Sequence, residues 1–293
     1  MMLPSHVVRE LRYIELYTWK RMRNLRVGTY TSRLRGAGFD FDEHRLYRPG
    51  DDVRRIDWNV TARLQVPFVR ETHAARELSV VIALDVTRSM MFGTGQSKRE
   101  LMLFVAACLV FSGLADQINI GFAAFTDRVL LYHAPRASRA RAWSTLEDLW
   151  KLDPLPARTA VLPAVRFLSG HLKKASIVFL ISDFMNDEPL SGANDLKALA
   201  AVHDVIGVVV EDPAESALPP GRSAIRFRDL ESGAGVRIGL SPQVRRQYAE
   251  LMQRRREELA DAFYGVPMDH LFVRADRGAI EPLMRLFAAR KRP

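Results

Sequence analysis

Asp85, Thr87 and Ser89 occupy alternate positions in Asp85-Val86-Thr87-Arg88-Ser89, and each side chain ends in a hard oxygen. One carboxylate and two hydroxyls at this spacing suit a Mg²⁺-type cation, which takes about six oxygens at about 2.1 Å and keeps several of its waters. Thr159, in Arg158-Thr159-Ala160, and Asp183, in Ser182-Asp183-Phe184, would add a hydroxyl and a second carboxylate. Two or three hydroxyls with one direct carboxylate leave such an ion poorly neutralised, with a coordination position open. That chemistry favours an incoming Asp or Glu from another molecule. Asp, Ser and Thr also favour caps and turns after strands, so the pentapeptide alone reads equally well as a local cap. Thr159 and Asp183, following in order, tip the balance towards metal.

These five side chains can meet only if the fold brings them together. Leu78–Leu84, just before Asp85, is an unbroken apolar and β-branched run, the mark of a parallel strand buried on both faces. Ala175–Ile181 is a second such run, just before Asp183. Open α/β sheets bind ligands at the carboxyl ends of their strands, where the strand order reverses. If the two runs are neighbours at that point, all five residues share one crevice. The rest of the pattern alternates strands with helices: helices over Ser97–Leu114, Ser138–Lys151, Ala160–Leu172 and Ala193–His203, and a buried strand over Val205–Val210. Ile118–Thr126 and Val129–His133 join at Asp127-Arg128, too short for a crossover, so that pair must be antiparallel. Ser223–Arg228 and Gly235–Gly239 read as a hairpin. Ser241-Pro242 starts a helix that runs to Tyr264, before a short strand at His270–Val273 and a helix at Ala279–Arg290. The expected class is α/β, a Rossmann-like, mostly parallel sheet with helices on both faces.

The first 76 residues lack the periodicity for a core of their own. A helix is expected over Ser5–Val27, then an arm in which Asp51 or Asp52 caps one short turn and Gln65–Glu71 forms an edge strand. Trp58 would pin this arm, with Arg54 or Arg55 pairing with Asp57. The expected division is residues 1–76, helix and arm packing on the core, and residues 77–293, the α/β domain.

Composition narrows the function. With 293 residues and 48% of them apolar, the chain can bury a sizeable core. Its single cysteine, Cys108, forms no intramolecular disulfide and is expected as a small buried residue in a reducing compartment. The N-terminus lacks the apolar stretch of a signal peptide. The longest uncharged run, Leu101–Ala115, falls short of the roughly 20 residues that span a bilayer, so a soluble cytoplasmic protein is expected. The net charge of +9 raises a nucleic-acid reading. Its basic clusters, Arg254-Arg255-Arg256 and Arg290-Lys291-Arg292, belong to no recognised module and read as solvated helix faces. A hydrolase using Asp85 is the other alternative. Phosphatases that place an aspartate nucleophile at a strand end need a second acid two residues later, and here that residue is Thr87. Gly93-Thr-Gly-Gln-Ser-Lys98 lacks the spacing of a phosphate loop.

Asp85-Val-Thr87-Arg-Ser89 with Thr159 and Asp183 resembles the metal-ion-dependent adhesion site of von Willebrand factor A-like domains, with Thr87 where serine is usual. Upstream, GFDFDEHRLYRPGDDVRRIDWNVTARLQVPFVRE, Gly38 to Glu71, followed by the strand and DVTRSMMFG, resembles the bacterial domain of unknown function 58 family. The resemblance implies a von Willebrand A-like core carrying Mg²⁺, or Mn²⁺ or Ca²⁺ in its place, on Asp85, Thr87, Ser89, Thr159 and Asp183. It also implies a non-enzymatic adaptor whose partner is a MoxR-type AAA+ ATPase or that ATPase's client. Many members carry N-terminal membrane helices, which this sequence lacks.

Overall fold

The computed structural model describes residues 43–48, 51–71, 78–153, 159–185, 190, 193–220, 223–228 and 235–290. The helix expected over Ser5–Val27 lies outside them. The described residues fall into two compact units, 43–71 and 78–290.

The smaller unit is a two-stranded antiparallel ribbon, β1 (Glu43–Leu46) on β2 (Phe68–Glu71). Asp52 caps a single 3₁₀ turn at Val53–Arg55, as expected. Asp57 caps a helix that the sequence reading missed, α1 (Trp58–Leu64), through bonds from the Asn59 and Val60 amides. Trp58, expected as a pin, is the first residue of α1, and its side chain is 67% exposed.

The larger unit is built on six strands: β3 (Ser79–Asp85), β4 (Asn119–Phe125), β5 (Val129–Arg136), β6 (Ile177–Ser182), β7 (Asp204–Glu211) and β10 (Asp269–Arg274). Their order in the sheet is β10-β7-β6-β3-β4-β5. All pairs are parallel except β4 with β5, the hairpin at Asp127-Arg128. Counted along this sheet, the order is 3-2-1-4-5-6, that of doubly wound dinucleotide-binding folds, and it reverses between β3 and β6. Every residue of β3 and of β6 is buried, as expected of predominantly apolar parallel strands covered on both faces.

Helices cover both faces: α2 (Lys98–Ala115), α3 (Arg139–Lys151), α4 (Val161–His171), α5 (Asn194–Val202), α7 (Pro242–Tyr264) and α8 (Ile280–Ala289). Val81 and Ala83 of β3 pack with Val161, Leu168, Leu199 and Phe263 in one apolar cluster. On the other face Phe179 of β6 meets Phe287 of α8, ring centroids 6.5 Å apart. Each large aliphatic side chain buried in this way contributes about 1.5–3 kcal/mol. α2 is buried along most of its length, Cys108 included. Its Gly113 lets the helix close on β4, since a Cβ there would lie 2.7 Å from Ile120 Cδ1. A four-residue helix, α6 (Pro213–Ser216), and the ribbon β8 (Ala224–Arg228) with β9 (Gly235–Gly239) complete the unit. None of the described helices is long and apolar enough to cross a membrane.

Candidate functional site

The crevice at the β3–β6 reversal is where the sequence-derived residues converge. Asp85 is the last residue of β3 and has no exposed surface. Beyond it the chain turns sharply, because the Thr87 amide and hydroxyl both donate to Asp85 Oδ1, at 3.0 and 2.7 Å. Ser182, which ends β6, donates to Asp85 Oδ2 at 2.6 Å. Thr87 Oγ1 lies 2.9 Å from Ser89 Oγ and 3.1 Å from Thr159 Oγ1. A hydroxyl has one hydrogen, and Thr87 gives its own to Asp85. Ser89 and Thr159 must therefore be the donors to Thr87. Thr159 lies just ahead of α4 and is buried, as is Thr87, while Ser89 is half-buried at the mouth. Arg88, between Thr87 and Ser89, is exposed.

Four of the five expected residues thus form one bonded cluster, and Asp183 stands beside it facing another group. Its Oδ1 accepts from the Met185 amide at 2.9 Å and its Oδ2 from Lys98 Nζ at 2.7 Å. Phe184, between them, holds a left-handed backbone (φ 52°), which disfavours a side chain with a Cβ. The Phe184 amide donates to Ser182 Oγ at 2.9 Å and its ring stands edge-on to Phe263, which together stabilise the turn.

Lys98, Glu215, Ser182, Thr94 and Asp212 did not emerge from the sequence. Lys98 is the first residue of α2, has no exposed surface, and also donates to Glu215 Oε1 at 2.5 Å. It opens α2 behind a capping box in which Ser97 Oγ accepts from the Glu100 amide and Glu100 returns a bond to the Ser97 amide. Asp212, fully buried, caps α6 and binds the Thr94 amide and hydroxyl, tying the loop after β3 to the end of β7. Asp212-Pro213-Ala214-Glu215 is itself a capping box, a local signal from which α6 could have been found. Nothing local in the sequence announces the Lys98 pairing.

The electrostatics follow from burial. Desolvation, and next the charge of Asp183, push the Asp85 carboxyl up to about 6 against the hydrogen bonds from Ser182 and Thr87. Burial alone would pull the Lys98 ammonium down, but Asp183 and Glu215 outweigh it and hold it above the usual lysine value. Beside Asp183, between β7, β10 and α7, lies a cavity of about 390 Å³ lined in part by Phe184, Glu211, Glu215, Arg256 and Phe272. Arg256 pairs with Glu211 at 2.6 Å and lies 4.0 Å from the Phe272 ring centre, so one member of the basic triplet is not simply solvated. Nor is Arg290, whose side chain is 8% exposed and pairs with Asp204 and Asp269. Among the described residues, no three His, Cys, Asp or Glu side chains gather as a metal-binding group. The cluster at Asp85 is instead rich in hydroxyls.

Comparison with known proteins places this chain in a family. Uncharacterized proteins of Mycobacterium bovis and Mycobacterium tuberculosis are each 30% identical over 285 residues, covering 96% of this chain and 89% of theirs. Among solved structures, the conserved hypothetical protein BatB from Bacteroides thetaiotaomicron is similar at 15% identity and TM-score 0.45, covering 72% of this chain and 96% of that one. A von Willebrand factor type A protein from Catenulispora acidiphila is similar at 16% identity and TM-score 0.36, covering 47% and 34%. The fold therefore rests on the strand order itself and not on these distant neighbours. The family match covers residues 43–258, extending well past the arm and first strand into α7, and the chain belongs to the family described as "Protein of unknown function DUF58".

Proposed function

We propose that this chain is a non-enzymatic protein-interaction module that grips a carboxylate of its partner through a divalent cation, Mg²⁺ or else Mn²⁺ or Ca²⁺. The observation that carries this reading is the oxygen cluster centred on Thr87. Its separations of 2.7, 2.9 and 3.1 Å, to Asp85, Ser89 and Thr159, match the edge of about 3 Å of an octahedron of oxygens around Mg²⁺. The donor set fits the ion in hardness as well as in spacing. Asp85 and the three hydroxyls are the residues that would hold it, with Asp183 at one remove. A bound ion would supply a positive pole with an open position. Asp85 brings the only direct negative charge, the hydroxyls bring none, and half-buried Ser89 marks the side from which a partner reaches the crevice. Catalysis by Asp85 is disfavoured by its surroundings: both carboxylate oxygens accept hydrogen bonds, and position 87 supplies no acid.

Family membership supports a partner of the MoxR AAA+ type or that ATPase's client. Binding of a purified MoxR-type ATPase from the same genome, followed by biolayer interferometry, tests the proposal. Capture is expected in Mg²⁺, with loss of at least about tenfold in affinity in EDTA or on Asp85→Ala. Capture that persists unchanged in EDTA would overturn it. Metal-dependent turnover of a phosphoester panel, abolished by Asp85→Asn, would establish the hydrolase instead.

A further inference from the structure

We propose that Lys98 is the resident cation of this crevice, a tethered charge that takes Asp183 out of the set of direct ligands and sets how tightly a divalent ion is held. The inference rests on the reading of the Asp85 cluster as the metal site and deepens it.

Lysines are almost never fully buried unless paired, and a cation at the first position of a helix faces the positive end of the helix dipole. Lys98 meets both penalties, and two carboxylates offset them, Asp183 at 2.7 Å and Glu215 at 2.5 Å. The Phe92 ring, its centre 5.9 Å from Nζ, adds a weaker attraction. Both oxygens of Asp183 are therefore engaged, one by the Met185 amide and one by Lys98. The charge of Asp183 acts on Asp85 across the crevice, and Lys98 is the cation that faces both Asp183 and Glu215 there. Asp183 is ion-paired, whereas Asp85 is bonded only to the neutral donors of Thr87 and Ser182, so Asp85 is the carboxylate whose charge is left for a divalent ion. That ion must sit near a fixed positive charge, so its retention depends on a carboxylate arriving from outside.

A salt bridge that merely braced the fold would make no difference to metal binding in one direction or the other. A resident cation makes a signed prediction. Removing the Lys98 charge raises metal affinity, and removing the Glu215 charge lowers it.

The test is Mn²⁺ titration of the full chain, with free Mn²⁺ read by electron paramagnetic resonance and folding checked by circular dichroism. Lys98→Met is expected to bind Mn²⁺ about tenfold or more tightly than wild type, and Glu215→Gln several-fold more weakly. Equal affinity in wild type and a folded Lys98→Met overturns the inference and leaves the metal site standing. Binding by Lys98→Met alone supports the inference and sinks the reading of the wild-type crevice as a metal site. No binding by any of the three overturns both. Should Lys98→Met fail to fold, Glu215→Gln decides, because its carboxylate is partly exposed and its loss leaves α6 capped by Asp212. A fall in affinity supports the inference, and no change or a rise overturns it.

Discussion

Asp85 is the residue whose chemistry is most altered by the fold, and the alteration can be measured as stability. An aspartate in the unfolded chain titrates near 3.9, whereas burial, with the Asp183 charge second, raises this one to about 6. The native state therefore holds a proton that the unfolded state has already released. The associated stability is fully present below about pH 4 and is lost as pH rises to about 6, a change of about 2–3 kcal/mol. In EDTA, Asp85→Asn should gain about that much relative to wild type between pH 4 and pH 7.5, measured by urea unfolding at each pH. A gap independent of pH would show that Asp85 is not held protonated. The oxygen residues were legible in the sequence because their spacing is local and their strands are plain. Lys98 was not, because its neighbours in Gly93-Thr-Gly-Gln-Ser-Lys98 point only to a phosphate loop that fails on spacing. Its meaning lies in Asp183 and Glu215, 85 and 117 residues away.

At the scale of elements, the loop between β3 and α2 determines whether Lys98 reaches its partners. Gly93 lies so close to the next turn that an added Cβ would meet Gln96 O at 2.5 Å and Ser97 Cα at 2.6 Å. Both are backbone atoms, so no side-chain rotation relieves the clash. Gly93→Ala should displace the start of α2 and destabilise the chain by about 1–3 kcal/mol, which urea unfolding would measure. A variant as stable as wild type would show the loop to be pliant. The buried strands and long helices match their sequence signals closely, since an apolar run or a cap leaves little choice. The elements that escaped notice are short or polar. β1 reads Glu-His-Arg-Leu, without apolar alternation, and α1 and α6 draw their order from Asp57 and Asp212 caps rather than from a hydrophobic face.

Across the whole molecule, the basic excess has more than one fate. Arg290 is not part of a solvated tail. It links the end of α8 to the first residues of β7 and β10, Asp204 and Asp269, and burial pulls its guanidinium down to about 10. Arg290→Met removes the cation that pairs with two carboxylates, one of them nearly inaccessible, and should cost up to about 3–5 kcal/mol in urea unfolding. A loss under about 1 kcal/mol would mean that solvent screens the pair. Composition could count this arginine but not place it, and the same holds for Arg256 on Glu211. The bonds that tie the crevice to the rest of the sheet span long stretches of chain, whereas Thr87 meets Asp85 and Ser89 only two residues away. Asp85 meets Ser182 across 97 residues, Lys98 meets Glu215 across 117, and Thr94 meets Asp212 across 118. Loops of that length close slowly, and parallel pairing offers no short cut through hairpins. During synthesis the Asp85–Ser182 bond must therefore wait for β6, and the bonds of Lys98 to Glu215 and of Thr94 to Asp212 for the residues around α6, so the crevice closes only late in the emergence of the chain.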